Sequence, residues 1–195
     1  MTDAEDGRKD DINRLLFEPN AAINGAIDDN TLTSFLDQIA DMRSGNQDLV
    51  LELNTVGGDA DVARRIALEI RLFSRHAGRS AYCVGKSYVY SAGVTILAAF
   101  DRQNRYLTAD AFLLIHERRI SGGIELSGPM TACIQMVQEE LAMLETAQRL
   151  EKEGFDELVK GSKMSSEELF RCARKNCYMS AQDALSYGLV GRILS

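Results

Sequence analysis

The chain has 195 residues, 45% hydrophobic and 26% charged, with a formal net charge of −7. That length can bury a core within a single domain, and the acidic balance leaves none of the basic footprint that a nucleic-acid partner requires. The start, Met1 to Asp6, lacks the basic and apolar regions of a secretory leader, and the longest apolar stretch, Tyr88 to Phe100, is too short to span a bilayer.

Residues 1–13 are polar and acidic and are expected to be disordered or loosely attached, leaving 14–195 as one domain. Arg14 to Phe17 predicts a short strand. Asp29 or Asn30 can cap a helix from Thr31 to Arg43, with Leu32, Phe35, Leu36 and Ile39 on one face. A strand over 48–54 then runs into Val56-Gly57-Gly58, and a helix over 60–76 follows with Val62, Ile66, Ile70 and Phe73 inward. A strand over 80–85 leads to Tyr90-Ser91-Ala92-Gly93 and an apolar helix to Phe100. Arg105 to Leu107 and Ala111 to Ile115 predict two more strands. Pro129 opens a long amphipathic helix to about Lys152. Ser165 starts a short helix through Ala173, Ser180 another that Gly188 ends, and Leu189 to Leu194 close the chain as a strand. This repeated β-α-β order predicts an α/β fold with a mostly parallel sheet and crossover helices.

Three strand ends carry candidate chemistry. Ser91 stands where the first N–H groups of a helix are unpaired and carry partial positive charge. His116, one of only two histidines, ends an apolar strand. Gly57-Gly58 sits at a strand-to-helix turn that permits positive φ and exposes backbone donors. Taken singly, the serine reads as a cap, the histidine as a core or surface residue and the glycines as a tight turn. Together they read as nucleophile, base and donors. The four cysteines, at 83, 133, 172 and 177, show no CxxC spacing. With two histidines this argues against a zinc site, and reduced thiols in a cytoplasmic setting are expected.

Four short motifs in order resemble the Clp (caseinolytic) protease proteolytic subunit, within the Clp protease/crotonase-like fold group. Asn54-Thr55-Val56-Gly57-Gly58 resembles the family's Asn-Ser-Pro-Gly-Gly, with Val56 in place of proline. Ser91-Ala92-Gly93 resembles its Ser-Met-Gly turn, and Leu114-Ile115-His116 its Met-Ile-His. Tyr178 to Val190 repeats its Phe-Leu-Ser-Ala-x-x-Ala-x-x-Tyr-Gly-Leu-Val. The resemblance covers residues 14–194 and implies repeated β-α-β units with a protruding handle helix after Pro129. It implies an ATP-independent serine endopeptidase, needing no metal or organic cofactor, that cleaves peptides and unfolded proteins. The triad would be Ser91, His116 and, two residues before Tyr178, Asn176 where the family has aspartate. Gly58 and Ala92 would form the oxyanion hole. Gly57, Gly122, Gly123 and Ile124 would bind extended substrate.

The resemblance further implies a cytoplasmic homo-oligomer of heptameric rings, stacked face to face, without nucleic-acid or membrane partners. An AAA+ unfoldase is the implied partner, but the family's aromatic docking strand carries Val50 and Glu52 here. Burying Glu52 under an apolar loop is costly. Two alternatives stay open: a catalytically weak or inactive subunit that assembles with an active paralogue, because asparagine lacks the aspartate charge, and a crotonase-like acyl-CoA enzyme.

Overall fold

The structure, a computed structural model, describes residues 13–76 and 78–195; the expectation of a loose segment over 1–13 lies outside them except at Asn13, which is helical. Its frame is a seven-stranded sheet of β1 (Ala21–Ile27), β2 (Leu49–Gly58), β3 (Ala81–Tyr90), β4 (Arg105–Thr108), β5 (Phe112–Ile115), β6 (Cys177–Ser180) and β7 (Arg192–Leu194). Six helices connect them: α1 (Asp29–Ser44), α2 (Ala60–His76), α3 (Ala92–Leu97), α4 (Met130–Val159), α5 (Ser166–Ala173) and α6 (Ala181–Tyr187). The main path runs β1-β2-β3-β4-β7, all parallel. This is the α/β architecture that the alternation predicts.

The path forks at β3, and the fork positions the site. Cys83 to Gly85 pair with β4, whereas Tyr88 to Tyr90 pair with β5. Between them β3 takes two more residues than β2, since Leu53 lies opposite Gly85 but Thr55 opposite Val89. Ser87 turns the chain there with φ 51°, and its hydroxyl donates to Asp110 at 3.0 Å. A bulge of this kind bends and re-aims a strand. It delivers the end of β3, and hence Ser91, beside the end of β5, and hence His116.

The odd-numbered side chains of β2, Leu49, Leu51 and Leu53, are fully buried, as are Phe35, Ile39, Ile66 and Ile70 of the covering helices. Helix starts are capped by their own sequence. Asp28, rather than Asp29 or Asn30, accepts from Thr31 N–H at 2.9 Å. Ser165 and Ser180 each form a reciprocal capping box, with Glu168 and Asp183. Helix α4 extends to Val159 and buries only Phe155, Leu158 and Val159; Ile134, Leu141 and Leu144 stand exposed. It is a protruding handle, as the resemblance implies. Buried Arg105 fixes its base, donating to Leu158 O at 2.9 Å, Phe100 O at 2.8 Å and Ala98 O at 3.0 Å. One guanidinium thereby satisfies the carbonyl ends of two helices.

Three expectations are corrected. Residues 13–17 are helical, not a strand: Glu18 N–H donates to Arg14 O at 3.1 Å, and Lys86 Nζ caps the turn by donating to Leu16 O at 2.8 Å. The adjacent Leu15 and Leu16 do not alternate, so they suit a turn of helix. The pattern also gave no strand at Cys177–Ser180. The reduced-thiol expectation fails for one pair, since Cys172 and Cys177 form a disulfide, while Cys83 and Cys133 are free.

Candidate active site

Ser91 occupies a strained elbow between β3 and α3, with φ 54° and ψ −120°. Its N–H donates to Leu114 O at 2.7 Å and its carbonyl accepts from Val94 N–H at 3.0 Å. A non-glycine residue in such a conformation is sustained by its surroundings and is characteristic of functional turns. Its hydroxyl makes no cap bond to α3, so the ordinary reading of a helix-start serine does not hold. Ala92 opens α3, and its N–H has no acceptor within the helix.

The Gly-Gly segment does not turn freely; it continues β2 through Gly58. Gly57, at φ 93°, packs against the elbow so closely that an added Cβ would lie 2.6 Å from Ser91 Cβ and 2.9 Å from Tyr90 O. Below them, buried Thr55 donates to Gly25 O at 2.5 Å and accepts from Gly57 N–H at 3.0 Å. A Cβ on Gly93 would overlap the Thr55 methyl. Gly93 is therefore required by close approach, and Gly57 by close approach together with its positive φ. Gly58 faces β1, in register with Ile27.

His116 follows β5 and shares one cavity with Ser91. The cavity measures about 480 Å³ and lies between the sheet end and the base of the handle, where Ala92, Thr95, Arg118 and Phe155 also line it. The ring Nδ1 of His116 lies 2.6 Å from the carbonyl of Glu117. A carbonyl only accepts, so Nδ1 carries a proton there, and in the neutral ring Nε2 holds the lone pair.

Asn176 sits one step beyond the Ile115–Cys177 pair of the antiparallel β5–β6 ladder, and so alongside His116. It adopts φ 57°. Its Oδ1 accepts from Arg119 at 3.1 Å, so here the ring of His116 is oriented by Glu117 O instead. Arg174 pairs with Glu117 at 3.5 Å, and Arg118 with Asp61 at 3.4 Å. Sequence reasoning had no signal for Glu117, whose contribution is a backbone carbonyl, nor for Arg119, whose side chain is exposed. Gly122, Gly123 and Ile124 are exposed, belong to the segment 116–127 without regular structure, and do not line the cavity.

On the opposite sheet face, Glu52 pairs with Lys86 at 2.6 Å and accepts from Asn24 at 3.3 Å. The hydrogen bond from Lys86 holds its carboxyl below the ordinary value. Among the described residues no helix is long and apolar enough to cross a membrane.

A family model described as Clp protease matches residues 3–195. The chain is 26% identical to the ATP-dependent Clp protease proteolytic subunit of Streptococcus sanguinis, over 95% of this chain and 89% of that one. It is 25% identical to ATP-dependent Clp protease proteolytic subunit 2 of Pseudomonas aeruginosa, over 88% and 79%. An asparagine-to-aspartate mutant of ClpP1 from Listeria monocytogenes superposes with a TM-score of 0.72 at 19% identity, over 94% of this chain and 96% of that one, which supports the fold. With its forked sheet, its handle helix and a match over nearly its whole length, this chain belongs to the Clp protease family.

Proposed function

We propose that this chain hydrolyses peptides as the serine-type proteolytic subunit of a Clp-type protease, with Ser91 as nucleophile and His116 as general base. The observation that carries the reading is that both residues line one cavity, with Nδ1 of His116 committed to Glu117 O. Nε2 then accepts the Ser91 proton as Oγ attacks the scissile carbonyl, and returns it to the leaving amine. Water hydrolyses the acyl-enzyme by the same path in reverse. The N–H groups of Gly58 and Ala92 would stabilise the oxyanion, each such donor contributing about 3 kcal/mol. Asn176 would take over the imidazole as third residue only once it exchanges its Arg119 contact for His116 Nδ1, and it would then supply no charge.

Residues 14–195 act as one domain in this reading. Peptide or unfolded chain would enter along Gly57 and the segment holding Gly122, Gly123 and Ile124, by strand pairing. No step of the acyl transfer consumes ATP. The exposed stripe of α4, including Ile134, Leu141 and Leu144, supports burial between stacked rings of seven subunits. The Glu52–Lys86 pair disfavours an apolar unfoldase loop at that point of the sheet. A cytoplasmic setting is proposed with these partners.

The test is hydrolysis of a fluorogenic peptide by the wild type, Ser91→Ala and His116→Gln. Loss of turnover in both variants with unchanged folding supports the reading; unchanged turnover in Ser91→Ala overturns it. The Arg119–Asn176 contact favours a second reading, a weak subunit that supports an active paralogue. Co-purification with an aspartate-bearing homologue, combined with negligible turnover alone, would select it.

A further inference from the structure

We propose that Cys172 and Cys177 are positioning residues for Asn176, and that the state of their disulfide sets how well the site turns over. The inference rests on the reading of Ser91, His116 and Asn176 as the catalytic group. Cys172 lies in the last turn of α5 and Cys177 begins β6, so the bond closes the short loop that contains Arg174, Lys175 and Asn176. Asn176 is the one residue of that loop with positive φ, 57°. Asparagine tolerates this conformation, but the surroundings must select it.

The same loop is tied to the residues that directly follow the catalytic imidazole. Arg174 pairs with Glu117 at 3.5 Å, and Asn176 Oδ1 accepts from Arg119 at 3.1 Å. Cys177 pairs with Ile115 at the end of the β5–β6 ladder. Glu117 is also the residue whose carbonyl holds His116 Nδ1. Without the sulfur bridge, the loop is held by exposed side-chain pairs, the end of a four-residue ladder, and short turn bonds such as Asn176 N–H to Ala173 O at 3.0 Å. Strand ends and exposed pairs of this kind open readily. A covalent link across the loop therefore acts on the placement of Asn176 relative to His116.

The two sulfurs differ in access. Cys172 is half-buried and Cys177 is buried. A thiolate of a dithiol reductant attacks Sγ of Cys172, the Sγ–Sγ bond breaks, and Cys177 leaves as thiolate and takes a proton. The second thiol of the reductant then attacks the mixed disulfide and releases Cys172. Two electrons and two protons pass to the protein, and the reductant becomes a cyclic disulfide. A low-molecular-weight disulfide such as oxidised glutathione reverses the exchange.

The test uses the full chain in three forms: treated with oxidised glutathione, treated with dithiothreitol, and as the double variant C172S/C177S. Alkylation followed by mass spectrometry reports the bond. Steady-state kinetics on a fluorogenic peptide separate kcat from KM, and limited trypsin digestion after Arg174 and Lys175 reports loop order independently of activity. The expected result is that reduction lowers kcat about tenfold with KM unchanged, and that oxidised glutathione restores it. The double variant should match the reduced enzyme and ignore both reagents, and trypsin should cut the reduced loop about fivefold faster. Free thiols at both positions after oxidation, or equal kcat and equal trypsin rates in all three forms, would overturn the proposal while leaving the peptidase assignment intact. Redox-dependent trypsin protection without turnover in any form would also overturn the proposal, since the bond would then order the loop without setting turnover.

Discussion

Gly57→Ala probes the contact on which the site geometry depends. The new Cβ would lie 2.6 Å from Ser91 Cβ and 2.9 Å from Tyr90 O, against a backbone fixed at φ 93°. Two penalties combine: about 1–3 kcal/mol for overpacking and about 1–2 kcal/mol for an alanine at strongly positive φ. A loss of about 2–5 kcal/mol in stability is expected, together with displacement of Ser91 from His116. Misplacement of a reacting group by about 1 Å costs about a hundredfold in rate. Gly25→Ala is the control, since φ there is 95° but no heavy atom lies within 4 Å of an added Cβ. It shares the backbone strain and not the contact. Urea unfolding and peptide turnover on both variants separate the two effects. Gly25→Ala should lose about 1–2 kcal/mol and keep its kcat, whereas Gly57→Ala should lose both. Wild-type kcat in Gly57→Ala would refute the reasoning that Gly57 is there to admit the Ser91 elbow.

Asn176→Asp should raise kcat about tenfold or more, because a carboxylate beside the imidazole stabilises the imidazolium that asparagine cannot; unchanged kcat, read from steady-state kinetics, would place the third residue elsewhere. Lys86→Met should cost about 1–2 kcal/mol near neutral pH and flatten the acid limb of stability. Glu52 has its carboxyl depressed from 4.5 by the Lys86 hydrogen bond. That contribution is therefore complete above 4.5 and lost as pH falls through the lower folded value, which thermal melts between pH 7 and 3 would follow. Arg105→Leu strands buried carbonyls at the ends of α3 and α4, and a loss of about 3–5 kcal/mol is expected in urea unfolding; a change under 1 kcal/mol would mean that water replaces the guanidinium.

The α/β order was legible because long elements carry their period and their caps. The helix over 60–76 shows apolar residues at helical spacing, and Ser165 and Ser180 mark helix starts whose capping boxes form as written. The short elements were not. Cys177–Ser180 has only two inward residues, Cys177 and Met179, too few to reveal alternation, and it reads as part of a motif instead. The fork of β3 was hidden because Gly85-Lys86-Ser87 breaks the apolar pattern at the bulge and reads as the end of the strand. At the site, side chains that act through their own type were found, namely Ser91 and His116. The carbonyl of Glu117 and the grip of Arg119 on Asn176 were not, since a backbone acceptor has no sequence signature and an exposed arginine resembles any other. The disulfide was missed because a spacing of five with no CxxC pattern does not specify a pairing; the α5–β6 turn brings the two sulfurs together.

The most direct measurement is mass-spectrometric localisation of a serine-reactive phosphonate on the intact protein. A single adduct on Ser91, formed slowly or not at all in His116→Gln, is the expected result. No adduct on the folded wild type, or an adduct on another serine that survives Ser91→Ala, would contradict the assignment.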